Sequence, residues 1–178
     1  GTDLATLLLN NAGLVDPGLR QLVRPSREGR VVLGHLSNLS VEKGLDTAID
    51  LAISLRDSGF DVELLLAGPA SDGAAKDELA RASAALGDAV AWVGPVRGPT
   101  KHDFFASLSY FVFPSRYKNE AAPLVVYEAM AAGVPVIATD VGCVGEIVGD
   151  SAIVARSGVE LVEPTADVLN AHRSLDDR

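Results

Sequence analysis

Two carboxylates eight positions apart, Glu120 and Glu128, are the first candidates for chemistry. Small residues follow the first of them, namely Ala121, Ala122 and Pro123. Two carboxylates can act as the acid and base of a hydrolase when they lie roughly 5–10 Å apart across a bond. They can also accept hydrogen bonds from the vicinal hydroxyls of a sugar. The spacing along the chain fixes no distance, so both kinds of chemistry stay open at this point.

An apolar helical run carries the second carboxylate. With Pro123 in the first turn, Glu128 lies about one and a half turns into the helix. The small residues before the run allow a ligand to approach the backbone. The amides of Leu124 and Val125, at the helix N-terminus, favour an anion. The sequence therefore predicts an anion or sugar site at the start of this helix.

A cation stands at the start of another predicted helix. Lys43 ends the polar loop 37–43, and Gly44 follows it. Backbone amides and the helix dipole favour an anion at such a helix entrance, and a lysine is a mobile point charge suited to phosphate. The alternative is a solvated lysine beside a helix-start glycine.

Two glycine-rich stretches are weaker candidates. The stretch 142–149 lacks the Gly-x-Gly opening of a dinucleotide fingerprint. The stretch 94–101 has the wrong spacing for a P-loop, and two prolines remove amides that would hold phosphate. Its position at a strand end still allows Val96 or Lys101 to touch a ligand.

Strands and helices alternate along the chain at intervals of about 25–30 residues, the size of a βαβ unit. This alternation predicts an α/β fold, a Rossmann-like parallel sheet flanked by helices on both faces. We expect a single domain over 1–178, with a lead-in segment 1–30, a core 31–155 and a less regular tail 156–178. The strands are predicted at 31–36, 62–67, 90–93, 110–113, 134–138 and 152–155, and helices at 45–55, 74–86, 99–107 and 143–149.

Composition excludes several classes of function. The 178 residues carry a net charge of −9, which disfavours binding to nucleic acid. The single cysteine, Cys143, forms no internal disulfide, and the three histidines lack a metal-ligand spacing. No apolar run is long enough to span a bilayer. We therefore expect a cytoplasmic protein.

The segment 120–142, EAAPLVVYEAMAAGVPVIATDVG, closely resembles the E-x7-E region of the family 4 glycosyltransferases. Further segments are similar to other landmarks of that family, in the same order: 36–44, 65–68, 92–94 and 113–115. The resemblance covers residues 31–155. It implies the C-terminal, nucleotide-sugar-binding half of a retaining enzyme with the GT-B fold, in which two Rossmann-like domains face each other.

The resemblance also implies roles for individual residues. Glu120 contacts hydroxyls of the donor sugar near the reacting carbon, and Glu128 holds the ribose diol. Lys43 binds the diphosphate, and Val96 lies near the base. The backbone of 121–125 cradles sugar and phosphate. A UDP- or GDP-sugar is the substrate, and no metal or other cofactor is expected.

Two departures from the family pattern leave alternatives open. Many members carry an arginine where this chain has Asn38, five residues before Lys43, and an amide does not supply that charge. Ala121 and Ala122 replace a glycine and an aromatic residue that often follow the first glutamate. The chain could thus be a degenerate binding or interaction module without transferase activity. Half of a nucleotide-sugar epimerase is a further alternative, because epimerases with the GT-B fold also bind nucleotide sugars.

The resemblance covers only the C-terminal half of such an enzyme. The acceptor is bound mostly by an N-terminal domain, which is therefore an expected partner from the parent chain. We expect a glycosyltransferase whose isolated fragment does not transfer sugar. The sequence leaves open whether the parent associates with a membrane.

Overall fold

The computed structural model describes residues 29–117, 120, 122–149 and 152–176. Nearly all of the lead-in segment 1–30 lies outside the described residues, and so does Ala121. In the part of the chain described, no helix is both long enough and apolar enough to cross a membrane.

Strands and helices alternate from the first described strand onward. The strands are β1 (Val31–Leu36), β2 (Val62–Ala67), β3 (Val90–Trp92), β4 (Tyr110–Phe113), β5 (Val136–Thr139) and β6 (Ala152–Ala155). The helices are α1 (Leu45–Asp57), α2 (Gly73–Leu86), α3 (Pro99–Ser107), α4 (Leu124–Ala131), α5 (Val144–Val148) and α6 (Val162–Asp176). Short 3₁₀ turns at Gly87–Ala89 and Val159–Leu161 precede β3 and α6.

All strand pairs are parallel, and the sheet order is β3-β2-β1-β4-β5-β6. The chain winds outward from β1 to β3, then crosses back so that β4 pairs with β1, with Leu33 opposite Tyr110. The direction of winding reverses at this pair. In such sheets a crevice opens outside the carboxyl ends of the strands at the reversal, and ligands bind there.

Alternate residues of the strands feed two apolar cores, one on each face of the sheet. Leu33 and Leu64 point into a core covered by α1, α2 and α6. Val32 and Phe111 point into a second core, covered by α3, α4 and α5. The Rossmann-like α/β fold with helices on both faces is therefore confirmed.

Element boundaries differ from the prediction mainly around α4 and β5. The strand expected at 134–138 begins only at Val136, because the amide of Val134 still donates to the carbonyl of Ala129 at the end of α4. The tail is more regular than expected. Its helix α6 buries Leu169, and the preceding turn buries Leu161, in the same core as α1.

Candidate functional site

A cavity of about 490 Å³ opens at the carboxyl edge of the sheet, beside the β1–β4 pair at which the direction of winding reverses. Four strand-to-helix loops line it, and they contribute both charged groups and small apolar residues. The loop after β1 contributes Ser37, Asn38 and Lys43; the loop after β2, Gly68 and Pro69; the segment after β3, Pro95, Val96, Arg97 and Lys101; and the segment after β4, Glu120, Pro123, Leu124 and Val125.

The loops after β1 and β4 are locked together by close backbone contact. Gly44 has a positive φ of 81°, and a Cβ built on it would lie 2.1 Å from the carbonyl oxygen of Pro114. The guanidinium of Arg116 reinforces the contact, since it bonds both oxygens of Asp46 at 2.8 and 2.9 Å. Its amide also donates to the carbonyl of Glu42. These contacts fix the backbone on both sides of Lys43 and the start of the segment that leads to Glu120.

Lys43 and Glu120 form an ion pair on the wall of the cavity. The ammonium Nζ lies 2.5 Å from Glu120 Oε2 and 4.2 Å from the ring centroid of Tyr117. The exposed fractions of the two side chains are 26% and 14%. A cation held between a carboxylate and an aromatic face is restrained but reachable, so an incoming anion can compete for it.

Glu128 lies behind the cavity wall rather than on it. It is 5% exposed, and its Oε1 accepts a hydrogen bond from Lys101 Nζ at 2.8 Å. Its Oε2 is buried and has no hydrogen-bond partner among the described residues. A buried acceptor without a hydrogen bond costs free energy. A hydrogen-bond donor on a bound ligand would lower this cost for Oε2.

The N-terminus of α4 faces the cavity through Leu124 and Val125. The first amides of a helix have no intrahelical partner, and Pro123, which precedes α4, offers no side-chain cap. The aligned dipoles of the helix add a partial positive charge at this end. An anion in the cavity would meet that charge.

His35 is fully buried in β1, beneath the loop that lines the cavity. Its Nδ1 donates to the carbonyl of Val112 at 3.0 Å, and its Nε2 accepts from the hydroxyl of Ser37 at 2.9 Å. Burial lowers the pKa of His35 to about 4, against a smaller raising effect of the Val112 hydrogen bond. The ring is therefore neutral at neutral pH and orients Ser37, which lines the cavity.

Most of the residues that the sequence predicted lie together. Asn38, Lys43, Val96, Glu120 and the positions 123–125 all line the cavity. Ala122 packs against the apolar core beside it, and Ala121 lies outside the described residues. Because Glu120 lines the cavity and Glu128 does not, the arrangement does not favour two carboxylates flanking one scissile bond.

Sequence reasoning did not single out Arg97, which lines the cavity and is exposed. Its place in the sequence could have indicated it, because it directly follows Val96 in the segment between β3 and α3. Lys101 was noted only as a possible ligand contact, and its ion pair with Glu128 was not predicted. Ion pairs between different loops depend on the packing of the loops, which the chain order does not specify.

Comparison with known proteins finds relatives that are named as mannosyltransferases. The lipopolysaccharide core biosynthesis mannosyltransferase LpsB of Rhizobium meliloti (strain 1021) is 36% identical over 122 residues, which are 65% of this chain and 33% of that protein. A GDP-mannose-dependent alpha-mannosyltransferase of Mycolicibacterium smegmatis is 35% identical over 127 residues, which are 71% of this chain and 30% of that protein. The chain thus spans about a third of the length of these relatives.

A solved structure shows the same fold. The crystal structure of Anabaena Alr3699/HepE in complex with UDP-glucose superimposes with a TM-score of 0.66 and 23% identity, over 96% of this chain and 43% of that one. The sequence model of the family described as "Glycosyl transferases group 1" matches residues 30–171, which include every described residue that lines the cavity. The chain therefore belongs to the group 1 glycosyl transferases.

Proposed function

We propose that this chain is the domain that binds a nucleotide-diphosphate-sugar donor in a retaining hexosyltransferase. One observation carries the proposal: the cavity at the β1–β4 reversal has the Lys43 ammonium and the N-terminus of α4 on its wall. A helix N-terminus and a lysine are complementary to a diphosphate. The location at the carboxyl edge of a parallel sheet is where such folds bind nucleotides.

The donor in this proposal is a UDP- or GDP-hexose. The Mycolicibacterium smegmatis relative is described as GDP-mannose-dependent, and the Anabaena HepE structure contains UDP-glucose. The two differ in both base and sugar, so the proposal names the class of donor and not one compound. Val96 lines the cavity in the segment after β3, and in this proposal it contacts the base.

The role of Lys43 is to stabilise charge on the leaving diphosphate. As the sugar–phosphate bond breaks, negative charge grows on the diphosphate, and preorganised cations and amides lower the energy of that state. The ammonium of Lys43 and the amides of Leu124 and Val125 supply this stabilisation without a metal ion. When Lys43 turns to the diphosphate, Glu120 loses its ion-pair partner and becomes available to hydroxyls near the reacting carbon.

The role of Glu128 is to hold a ribose hydroxyl. Its Oε2 is the buried acceptor without a partner, and a hydroxyl is a suitable donor. Lys101 both lines the cavity and contacts Glu128. A shift of the Lys101 side chain would therefore open the path from the cavity to this carboxylate.

The acceptor site belongs to another part of the parent enzyme in this proposal. The chain matches about a third of its relatives, which leaves most of their length to supply an acceptor-binding domain N-terminal to it. We therefore expect the isolated chain to bind donor but not to transfer sugar. Turnover of a nucleotide sugar onto an acceptor by this chain alone would contradict that part of the proposal.

Isothermal titration calorimetry with UDP and GDP tests donor binding directly. We expect one of the two to bind with one-to-one stoichiometry, and Lys43→Met to weaken it about tenfold or more, since a hydrogen bond between charged groups is lost. Asn38, which lines the cavity and carries no charge, favours a second candidate function, a binding module that has lost nucleotide recognition. Absence of heat and of a thermal shift at millimolar UDP and GDP would favour that module.

A further inference from the structure

The charged residues on the cavity wall are not equally available to a ligand. Among the described residues, those lining it are Lys43, Arg97, Lys101 and Glu120. Lys43 is neutralised by Glu120, and Lys101 by the buried Glu128. The Arg97 guanidinium makes no ion pair with any described residue. Of the three cations that line the cavity, it alone can bind an anion without first breaking an ion pair with a glutamate.

The backbone that carries Arg97 is held in place by its neighbours. The hydroxyl of Thr100 donates to the carbonyl of Arg97 at 2.9 Å and accepts from its amide at 3.1 Å. Gly98 follows with a positive φ of 49°, and α3 begins at Pro99. The loop therefore presents its one long side chain from a defined point on the cavity rim.

We propose that Arg97 is a diphosphate-binding residue and provides the first cationic contact for the donor. This inference rests on the proposed function and adds a residue to it. A guanidinium is always charged and offers a planar fork that matches two phosphate oxygens. In a chain with a net charge of −9, a free cation at the mouth of the cavity also counters the repulsion that an incoming dianion meets.

The position of Asn38 makes Arg97 more important. Asn38 lines the same cavity and offers only an amide, so it contributes no charge towards phosphate. The two lysines become available only after their glutamates are displaced. We therefore expect the loss of affinity on removing Arg97 to grow with the number of phosphates on the ligand.

The test is calorimetry with uridine, UMP and UDP, and with guanosine, GMP and GDP, on the chain and on Arg97→Gln. We expect Arg97→Gln to weaken the diphosphate about tenfold, the monophosphate less and the nucleoside not at all. Arg97→Lys should lose only part of the affinity for the diphosphate. The affinity of Arg97→Gln should fall less steeply with added salt than that of the unsubstituted chain. Asn38→Arg in the Arg97→Gln background should restore much of the lost affinity.

Arg156→Gln is the matched control, because Arg156 is also an exposed arginine and lines a different cavity. It removes the same charge and should leave all six affinities unchanged. Equal weakening of nucleoside and diphosphate by Arg97→Gln would mean that Arg97 contacts the base, and would overturn the inference. An unchanged diphosphate affinity would overturn it as well.

Failure of the proposed function gives a different pattern. If neither UDP nor GDP binds the unsubstituted chain, the donor site is refuted and inorganic pyrophosphate becomes the probe. Pyrophosphate binding that Arg97→Gln abolishes would support Arg97 as an anion-binding residue independently of a nucleotide. No pyrophosphate binding would overturn both proposals.

Discussion

The ammonium of Lys101 lies 2.8 Å from Oε1 of Glu128, whose side chain is only 6% exposed. This pair ties the start of α3 to the middle of α4, two helices on the same face of the sheet. The carboxylate is thereby balanced at one oxygen and left without a partner at the other. Glu128 is a charge that the fold keeps buried, and its only described partner is a residue of the cavity wall.

Removing the cation should destabilise the fold. We expect Lys101→Met to lower the free energy of unfolding by about 2–3 kcal/mol, because it leaves a buried carboxylate uncompensated. Urea denaturation measures this as a shift of the midpoint with an unchanged slope. The double variant Lys101→Met, Glu128→Gln should recover part of the loss, since no unpaired charge remains. Equal stability of the unsubstituted chain and Lys101→Met would show that the ion pair contributes nothing to the free energy of unfolding.

The ion pair between Lys43 and Glu120 should compete with donor binding. Glu120→Gln removes the carboxylate that holds the ammonium at 2.5 Å. We therefore expect this variant to bind UDP or GDP about fivefold more tightly than the unsubstituted chain. This factor corresponds to roughly 1 kcal/mol, the free energy of an ion pair that binding no longer has to break. Calorimetry on the two proteins side by side provides the measurement. Weaker binding by Glu120→Gln would contradict the view that the pair must open first.

The sequence was sufficient for the fold and for much of the cavity wall. Buried strands such as Val62–Ala67 are short apolar runs between turns, so their limits could be predicted residue by residue. Lys43 and Glu120 follow strand ends, and a parallel sheet brings strand ends to one edge. Pattern and topology together therefore placed these two residues on the same cavity.

The partners of these residues could not be predicted in the same way. Which carboxylate meets which lysine depends on side-chain rotamers and on loop packing of about an ångström. Glu128 was expected at the cleft, yet α4 turns it behind the wall, where Lys101 contacts it. Arg97 lies in a loop between two glycines, Gly94 and Gly98, and no periodicity marks it as part of a site.

Gly44 should tolerate no side chain, because of both its backbone conformation and its surroundings. Its φ of 81° costs a non-glycine residue about 1 kcal/mol, and a Cβ would overlap the carbonyl of Pro114 at 2.1 Å. We expect Gly44→Ala to lower the free energy of unfolding by about 3 kcal/mol or more. Diphosphate affinity should also fall, since Lys43 is the adjacent residue.

Gly59 provides the control for this prediction. It has nearly the same φ, 85°, but a Cβ there would meet no atom within 4 Å. Gly59→Ala should therefore show only the conformational cost of about 1 kcal/mol. Chemical denaturation of both variants separates the two effects. Equal destabilisation would mean that the contact with Pro114 relaxes at no cost.

The buried imidazole of His35 should make stability depend on pH. Its pKa is about 4 in the folded chain and near the ordinary 6.5 in the unfolded chain, so the unfolded state binds more protons between these values. Stability contributed by the neutral ring is therefore complete above pH 6.5 and is lost as the pH falls towards 4. From pH 7 to pH 5 we expect a loss of about 2 kcal/mol from this residue.

Urea denaturation at pH 7 and pH 5, on the chain and on His35→Gln, isolates this contribution. A glutamine does not titrate, and its amide can still donate to the carbonyl of Val112, so the variant should be less sensitive to pH by about the same 2 kcal/mol. Most carboxylates remain ionised over this range, and their effect is shared by both proteins. The same pH dependence in both proteins would show that His35 takes up its proton in the folded state, with the Val112 and Ser37 hydrogen bonds rearranged to accept it.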